Sequence, residues 1–311
     1  MSKNRYIVLL IISITIFTFS GCSSKETISL INTYAKASSD TQDNILAMYD
    51  DAIYQEQQSI YYKALRDGAS IKELSPDKVE YSGQQKALKD LANFTSALAT
   101  ISSDDAFEDI DKNSKSLYES ALKLSENEYV SKSDITEKDV QLFTSILNAG
   151  TKGYIEYKKT KKLKELVLVS DKWVQATLNG LSSDLSAWKR HLYKSLQSRK
   201  NLQLLVLNKP YDYCKVKSKE KECQLLSDGF KSKVSLYDEV NQIQKRIDNL
   251  DAEFESLSKS ITLMSQLHRN IIESMKQDKL DDISRETLKR NFDRLKQLSD
   301  SVKEFRKLTQ G

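Results

Sequence analysis

Proline and glycine are scarce in this chain, and that scarcity constrains its fold more than any other feature. The 311 residues include only 2 prolines and 8 glycines. Tight turns and strand ends usually need these residues, whereas helix interiors exclude proline and are weakened by glycine. The chain is therefore predicted to be all-α and to consist of long helices.

Apolar residues recur at helical spacing through residues 40–210, which we interpret as a helical bundle. Its first helix is expected to begin after Ser39-Asp40, because both side chains cap helices well. Near the end of the bundle the helical pattern continues from Tyr154 to Leu207, and Gly180 is the only expected kink in that stretch.

The most regular spacing lies near the carboxyl end. From Ile243 to Met275 apolar residues alternate steps of four and three, which is typical of a heptad seam, and the rhythm resumes after a short polar turn. Because so short a turn makes its two helices neighbours, residues 228–311 are predicted to form an antiparallel coiled-coil hairpin. A helix over 228–276 would extend roughly 70 Å, so we expect an elongated bundle.

The amino end has the pattern of an export signal. Lys3 and Arg5 form a short basic region, and the stretch from Tyr6 to Phe19 is mainly apolar. An uncleaved membrane span is the alternative, but a span needs about 18 or more apolar residues and this run is shorter. Residues 1–21 are therefore predicted to be a signal peptide.

The sequence Phe19-Ser20-Gly21-Cys22 resembles the lipobox of bacterial lipoproteins, with Phe19 in place of the usual Leu. The resemblance implies cleavage before Cys22 and attachment of diacylglycerol and palmitate-type acyl chains to that residue. Ser23, rather than Asp, follows the cysteine, which resembles the outer-membrane sorting class of enterobacterial lipoproteins. A lipid-anchored protein of the cell envelope is implied, facing the periplasm from the outer membrane in a Gram-negative cell. The body of the chain resembles no family.

Charge constrains the partners of the mature chain. Removing the signal takes away Lys3 and Arg5, which lowers the formal net charge from +4 to +2. A nucleic-acid-binding protein usually has a pronounced basic excess, so a nucleic-acid partner is not expected. Residues 22–39, rich in Ser, Lys and Thr, are interpreted as a lipidated tether.

Two further cysteines lie in a predicted crossover loop, residues 211–227. In an oxidising exported compartment, Cys214 and Cys223 are expected to form a disulfide, the alternative being two free thiols. So small a loop would add about 2 to 3 kcal/mol of stability. A metal site is not predicted, because no Cys or His pair flanks them at ligand spacing.

Catalytic residues are not predicted. His191 and His268 are the only histidines, and neither belongs to a recognisable catalytic motif. His191 is expected at the surface, whereas His268 occupies the heptad seam, where a polar residue sets register or, alternatively, senses pH. No cofactor-binding motif is present, and the chain is predicted not to be an enzyme.

A dense basic run lies on a predicted helix and consists of Lys158, Lys159, Lys161, Lys162 and Lys164. These lysines would contact anionic lipid head groups or an acidic partner, or form an ordinary solvated face.

Two functions are consistent with these features. The first is a membrane-anchored, non-enzymatic interaction or scaffold module that binds a protein partner in the cell envelope. The alternative is a ligand-binding or enzymatic lipoprotein that acts on cell-wall or lipid material in a cleft between helices. Trp173 and Trp188 would line such a cleft, unless both indoles belong to the core.

Overall fold

The computed structural model describes the backbone of residues 3–67, 82–102, 110–130, 156–207, 220–277 and 282–307. Side chains are described for residues 28–64, 83–102, 115–130, 164–205, 207, 233–276, 285–305 and 307.

The described residues form six α-helices and no strand, which confirms the all-α helical bundle. The helices are α1 (Lys3–Asp67), α2 (Ser82–Ile101), α3 (Ile110–Ser125), α4 (Glu156–Leu207), α5 (Glu220–Gln277) and α6 (Asp282–Lys307).

The helical spacing of apolar residues predicted within 40–210 corresponds to buried faces. Helix α2 buries a stripe made of Leu88, Leu91, Phe94, Leu98 and Ile101. Helix α4 buries Leu166, Trp173, Leu181, Trp188 and Leu192 at the same kind of spacing, and it runs through Gly180 as one helix. The helical period therefore identified the core-facing side of both elements.

Helix α1 does not begin at Ser39-Asp40, and this prediction is wrong. The helix continues through these residues because the positions beside them have partners within the bundle. Thr41 Oγ1 donates to Ala37 O at 2.9 Å, and Gln42 Oε1 accepts from Thr95 Oγ1 at 2.7 Å. Residues that favour caps are accommodated inside a helix when their polar atoms are satisfied there.

The segment predicted as a tether, residues 22–39, also belongs to α1. In its described part Ile31, Tyr34 and Ala35 are buried, so these residues are packed helix rather than a tether. The weak apolar period in this segment was sufficient for a helix because neighbouring helices cover it.

Residues 220–227 of the predicted crossover loop belong to α5, which begins at Glu220. Cys214 lies outside the described residues, and Cys223 lies in α5 with a side chain outside them. The disulfide therefore stays a prediction.

The heptad seam of α5 is buried from Ile243 to Met275 except at Ile247, where the neighbouring Arg246 is buried instead. Beyond residue 259 the buried face is wider than a seam, since Leu263, Leu267 and Ile272 are buried as well. This part of α5 is an interior helix of a bundle, with contacts on more than one side.

Two compact units divide the chain, and they do not follow the predicted boundaries at 40–210 and 228–311. The first unit comprises Met1–Asp43, Gly83–Ser182 and Lys259–Ser299, and the second comprises Asn44–Ser82, Ser183–Ser258 and Asp300–Gly311. The boundaries fall inside helices because α1, α4, α5 and α6 each contribute residues to both units.

In the first unit α1 and α2 run antiparallel. Asn32 Nδ2 donates to Ala99 O at 2.8 Å, and Gln42 pairs with Thr95 further along. The segment after α3 docks on α4, where Asn127 Nδ2 donates to Thr177 Oγ1 at 2.8 Å. A Cβ on Gly180 would lie 2.2 Å from the Tyr129 ring, so glycine is required for this close approach.

In the second unit α5 runs antiparallel to α4. Lys200 Nζ donates to Gln244 Oε1 at 2.6 Å, and one turn later Gln203 Nε2 donates to Glu239 Oε2 at 2.8 Å. Helix α1 runs parallel to α4, because its contacts with α4 advance in the same direction along both helices. Three helices therefore pack side by side in this unit.

Candidate interaction surface

Both tryptophans belong to the core. Trp188, in the second unit, stacks on Tyr49 with ring centroids 3.8 Å apart and an interplanar angle of 5°. The edge of Phe254 meets the same indole at 4.9 Å. Trp173, in the first unit, is 1% exposed. Neither indole therefore lines an open cleft of the kind that the ligand-binding alternative required.

An ionic cluster is buried in the second unit. Arg246 Nη1 contacts Asp51 Oδ2, and its Nη2 lies 3.3 Å from Glu253 Oε1. The side chain of Arg246 is 2% exposed and that of Glu253 is 1% exposed. Removing one partner of such a pair leaves an uncompensated buried charge, so the cluster holds α1 on α5.

A second polar network surrounds Arg199, whose Nη1 donates to Gln55 Oε1 at 2.8 Å and whose Nη2 donates to Glu239 Oε2 at 3.0 Å. Gln203 Nε2 donates to the same carboxylate oxygen and, at 3.0 Å, to Tyr62 OH. The Arg199 guanidinium also lies 5.8 Å from the Tyr62 ring centroid. One network therefore fixes the register of α1, α4 and α5 in the second unit.

His268 lies in the core of the first unit and is fully buried. The Nε2 atom of His268 lies 3.3 Å from Asp171 Oδ1, but the two atoms are not aligned for a hydrogen bond. The centroid of the His268 ring lies 5.3 Å from that of the Tyr34 ring. The proximity of His268 lowers the pKa of Asp171 and outweighs burial, which raises it. Burial raises the pKa of the Tyr34 hydroxyl. His268 is thus a polar contact inside the seam, as predicted, and the pH-sensing alternative stays a prediction.

Large apolar side chains are exposed mainly on the second unit. Among the described residues, Leu122 is the only one of this kind in the first unit, at 37% exposure. The second unit has five: Tyr54 (50%), Tyr193 (46%), Leu205 (55%), Val234 (46%) and Tyr237 (57%). Exposed apolar area is typical of interaction surfaces when it is contiguous, so the second unit is the better candidate of the two.

Helices α4 and α5 enclose a surface groove of about 450 Å³ in the second unit. We call it the α4/α5 groove; it is lined by Ser186, Lys189, Arg190, Tyr193, Lys194, Ile247, Leu250 and Asp251. Leu250 forms a buried floor, whereas Arg190, Tyr193 and Lys194 are exposed along one wall. The groove therefore offers apolar area flanked by charge.

The predicted basic run lies at the start of α4. The side chains of Lys158, Lys159, Lys161 and Lys162 are outside the described ones, and Lys164 is half-buried. His191 is exposed, as predicted. The side chain of Cys22 also lies outside the described ones. The structure thus leaves the lipidation site and most of the basic run as predictions.

No protein-family model matches the chain, and comparison with curated proteins and with solved structures finds no match either. In the part of the chain that the structure describes, no helix has the length and hydropathy of a membrane span. No three His, Cys, Asp or Glu side chains among the described residues come together as a metal site.

Sequence reasoning missed the residues that define the second unit. Arg246 sits beside a seam position, and its burial is visible only when Asp51 is known to face it. Arg190, Tyr193 and Lys194 form no motif, although an exposed tyrosine between two cations is a weak signal of an interface.

Proposed function

We propose that this protein is a lipid-anchored, non-enzymatic interaction module of the bacterial cell envelope, and that its second unit binds a protein partner. The observation that carries the proposal is the concentration of exposed apolar side chains on that unit, three of which are tyrosines. Tyrosine is enriched at protein interfaces because it combines a large apolar area with a polar hydroxyl.

The buried networks support a binding role. Exposed apolar residues bind a partner with less entropic cost when the helices that carry them are already held in one arrangement. In the second unit, Tyr237 and Leu205 lie close in sequence to Glu239 and Gln203, which hydrogen-bond each other across α5 and α4. The surface is therefore preorganised by the network beneath it.

The proposed anchor is acylated Cys22. Each buried methylene of an acyl chain adds about 0.8 kcal/mol to membrane binding, and stable anchoring takes more than one chain. Diacylglycerol together with an amide-linked chain, as the lipobox resemblance implies, meets that requirement. We propose the outer membrane, facing the periplasm, in a Gram-negative cell.

The anchor is tested by metabolic labelling with palmitate and by fractionation of cells that express the wild type or Cys22→Ala. We expect the substitution to abolish both the label and the membrane association of the protein. Cys223→Ala is a matched control that should retain both. A labelled, membrane-bound Cys22→Ala variant would disprove lipidation at this residue.

The partner-binding role is tested in living cells with a photocrosslinking amino acid at Tyr237, and with the same amino acid at Lys115 as a control on the first unit. Both side chains are exposed, so both sites report what lies nearby. We expect one discrete protein adduct from Tyr237 and none from Lys115. The same adducts from both positions, or none from Tyr237, would contradict the proposal.

A further inference from the structure

The α4/α5 groove has two walls of opposite charge. On the α4 wall, Arg190 and Lys194 are exposed one helical turn apart, with Tyr193 beside them. Neither cation forms an ion pair with another described side chain. On the α5 wall, Asp251 is 89% exposed and pairs with Lys189. A ligand in the groove therefore meets unpaired positive charge on the α4 wall and, on the α5 wall, an exposed carboxylate that is paired with Lys189.

Apolar area lies between the two walls. Leu250 is 2% exposed at the floor, Ile247 is half-buried, and the Tyr193 ring is 46% exposed at the rim. Arg246 is buried, whereas its neighbour Ile247 is half-buried and lines the groove.

We infer that the α4/α5 groove binds an amphipathic helix of the partner protein. The apolar stripe of that helix would pack on Ile247 and Tyr193, its carboxylates would pair with Arg190 and Lys194, and a cationic side chain on its other flank would face Asp251. Helix-in-groove recognition uses this combination of apolar anchors and flanking charges. The inference rests on the proposed function and specifies the chemistry of the partner.

Charge complementarity favours a helix of mixed charge over an anionic membrane surface. Lipid head groups present negative charge uniformly, and Asp251 would repel them at the α5 wall. A bilayer surface also does not enter a concave groove, whereas the side chains of a helix do. The predicted mature chain has a formal net charge of only +2, whereas binding to anionic lipids relies on a general basic excess.

The inference is tested with full-length protein in detergent micelles and two fluorescent helical peptides. The first has a leucine stripe with glutamates on one flank and lysines on the other. The second has the same stripe with lysines on both flanks, and we expect it not to bind because it offers no carboxylate to Arg190 and Lys194. We expect the anisotropy of the first peptide to rise on binding and to fall again as salt is added, because the flanking pairs are exposed.

Arg190→Glu combined with Lys194→Glu reverses the α4 wall. We expect this double variant to bind the first peptide at least about tenfold more weakly, since like charges then face each other. Lys245→Glu combined with Lys303→Glu makes the same charge change at exposed positions of the second unit outside the groove, and should alter binding less than about twofold. Circular dichroism verifies that both double variants retain their helicity.

The inference would be overturned if the first peptide did not bind, or if it bound the Arg190→Glu, Lys194→Glu variant as tightly as the wild type. The inference would also be overturned if the variant bound the peptide as before but no longer bound phosphatidylglycerol vesicles, because the groove would then contact lipid. If the peptide-binding experiments give these negative results while the crosslinker at Tyr237 still captures a partner, only the assignment of the α4/α5 groove is disproved. Absence of a crosslinked adduct at Tyr237 contradicts the proposed function itself.

Discussion

The two compact units bury different kinds of polar side chain. In the first unit most of them are small hydroxyl residues, such as Ser38, Thr95, Ser120 and Thr177. In the second unit they include Arg199, Arg246 and Glu253. The same three long helices pass through both units, so the difference arises from their side chains and not from their topology.

The difference determines how each unit specifies its packing. Several of these hydroxyls are satisfied within their own helix, as when Ser120 Oγ donates to Ser116 O at 2.8 Å and Ser170 Oγ donates to Val167 O at 3.1 Å. Such residues permit close packing and leave the register open. Arg199 is satisfied by residues of two other helices, and Arg246 by Asp51 of α1 as well as by Glu253 of its own helix. A register shift in the second unit would therefore leave buried charge without its partner.

The largest effect is expected from removing a buried charge of the second unit. Arg246→Ala leaves the buried carboxylates of Asp51 and Glu253 without their shared cation, and should destabilise the protein by about 3 to 5 kcal/mol. Urea unfolding measures the loss, and hydrogen exchange should locate it in the second unit. Lys115→Ala, which removes an exposed pair with Glu119 in the first unit, should cost at most about 1 kcal/mol. Similar losses for both variants would show that buried charge does not distinguish the units.

An intermediate effect is expected for Gly180→Ala in the first unit. The added methyl would meet the Tyr129 ring at 2.2 Å, and moving a packed ring should cost about 1 to 3 kcal/mol. Gly83→Ala is the matched control, because there the methyl meets the carboxyl end of the flexible Glu128 side chain. We expect that control to be neutral or slightly stabilising in urea unfolding, since alanine favours helices over glycine. An unchanged midpoint for Gly180→Ala would indicate that Tyr129 is not packed against α4 in solution.

The smallest effect concerns the pH dependence of the first unit. The pKa of Tyr34 is raised in the folded state, so its contribution to stability is present below the unfolded value of 10.0 and is lost as pH rises above it. Tyr34→Phe should remove this loss, which is at most about 1.4 kcal/mol per pH unit for one proton. Urea unfolding of both proteins at pH 8 and at pH values just above 10.0 provides the measurement. Parallel pH profiles would mean that the Tyr34 hydroxyl reaches water in the folded state.

Local pattern was sufficient to predict the helices and most of their buried faces. The stripe of α2 and the seam of α5 repeat along one helix, and a helical period depends only on residues close in sequence. The same reasoning failed at Ser39-Asp40, where capping residues lie inside α1, because residues of α2 satisfy the neighbouring Gln42.

Sequence by itself determined that the described part of this protein is helical and where most of its helices lie, whereas the signal peptide and lipobox at the amino end stay predictions. Tertiary structure alone decided that Arg246 is buried in place of Ile247, that α1, α4 and α5 are each shared by two units, and that Arg190 and Lys194 flank a groove. The physical reason is distance along the chain. Burial of a charge depends on a partner such as Asp51, which lies far away in sequence and on another helix.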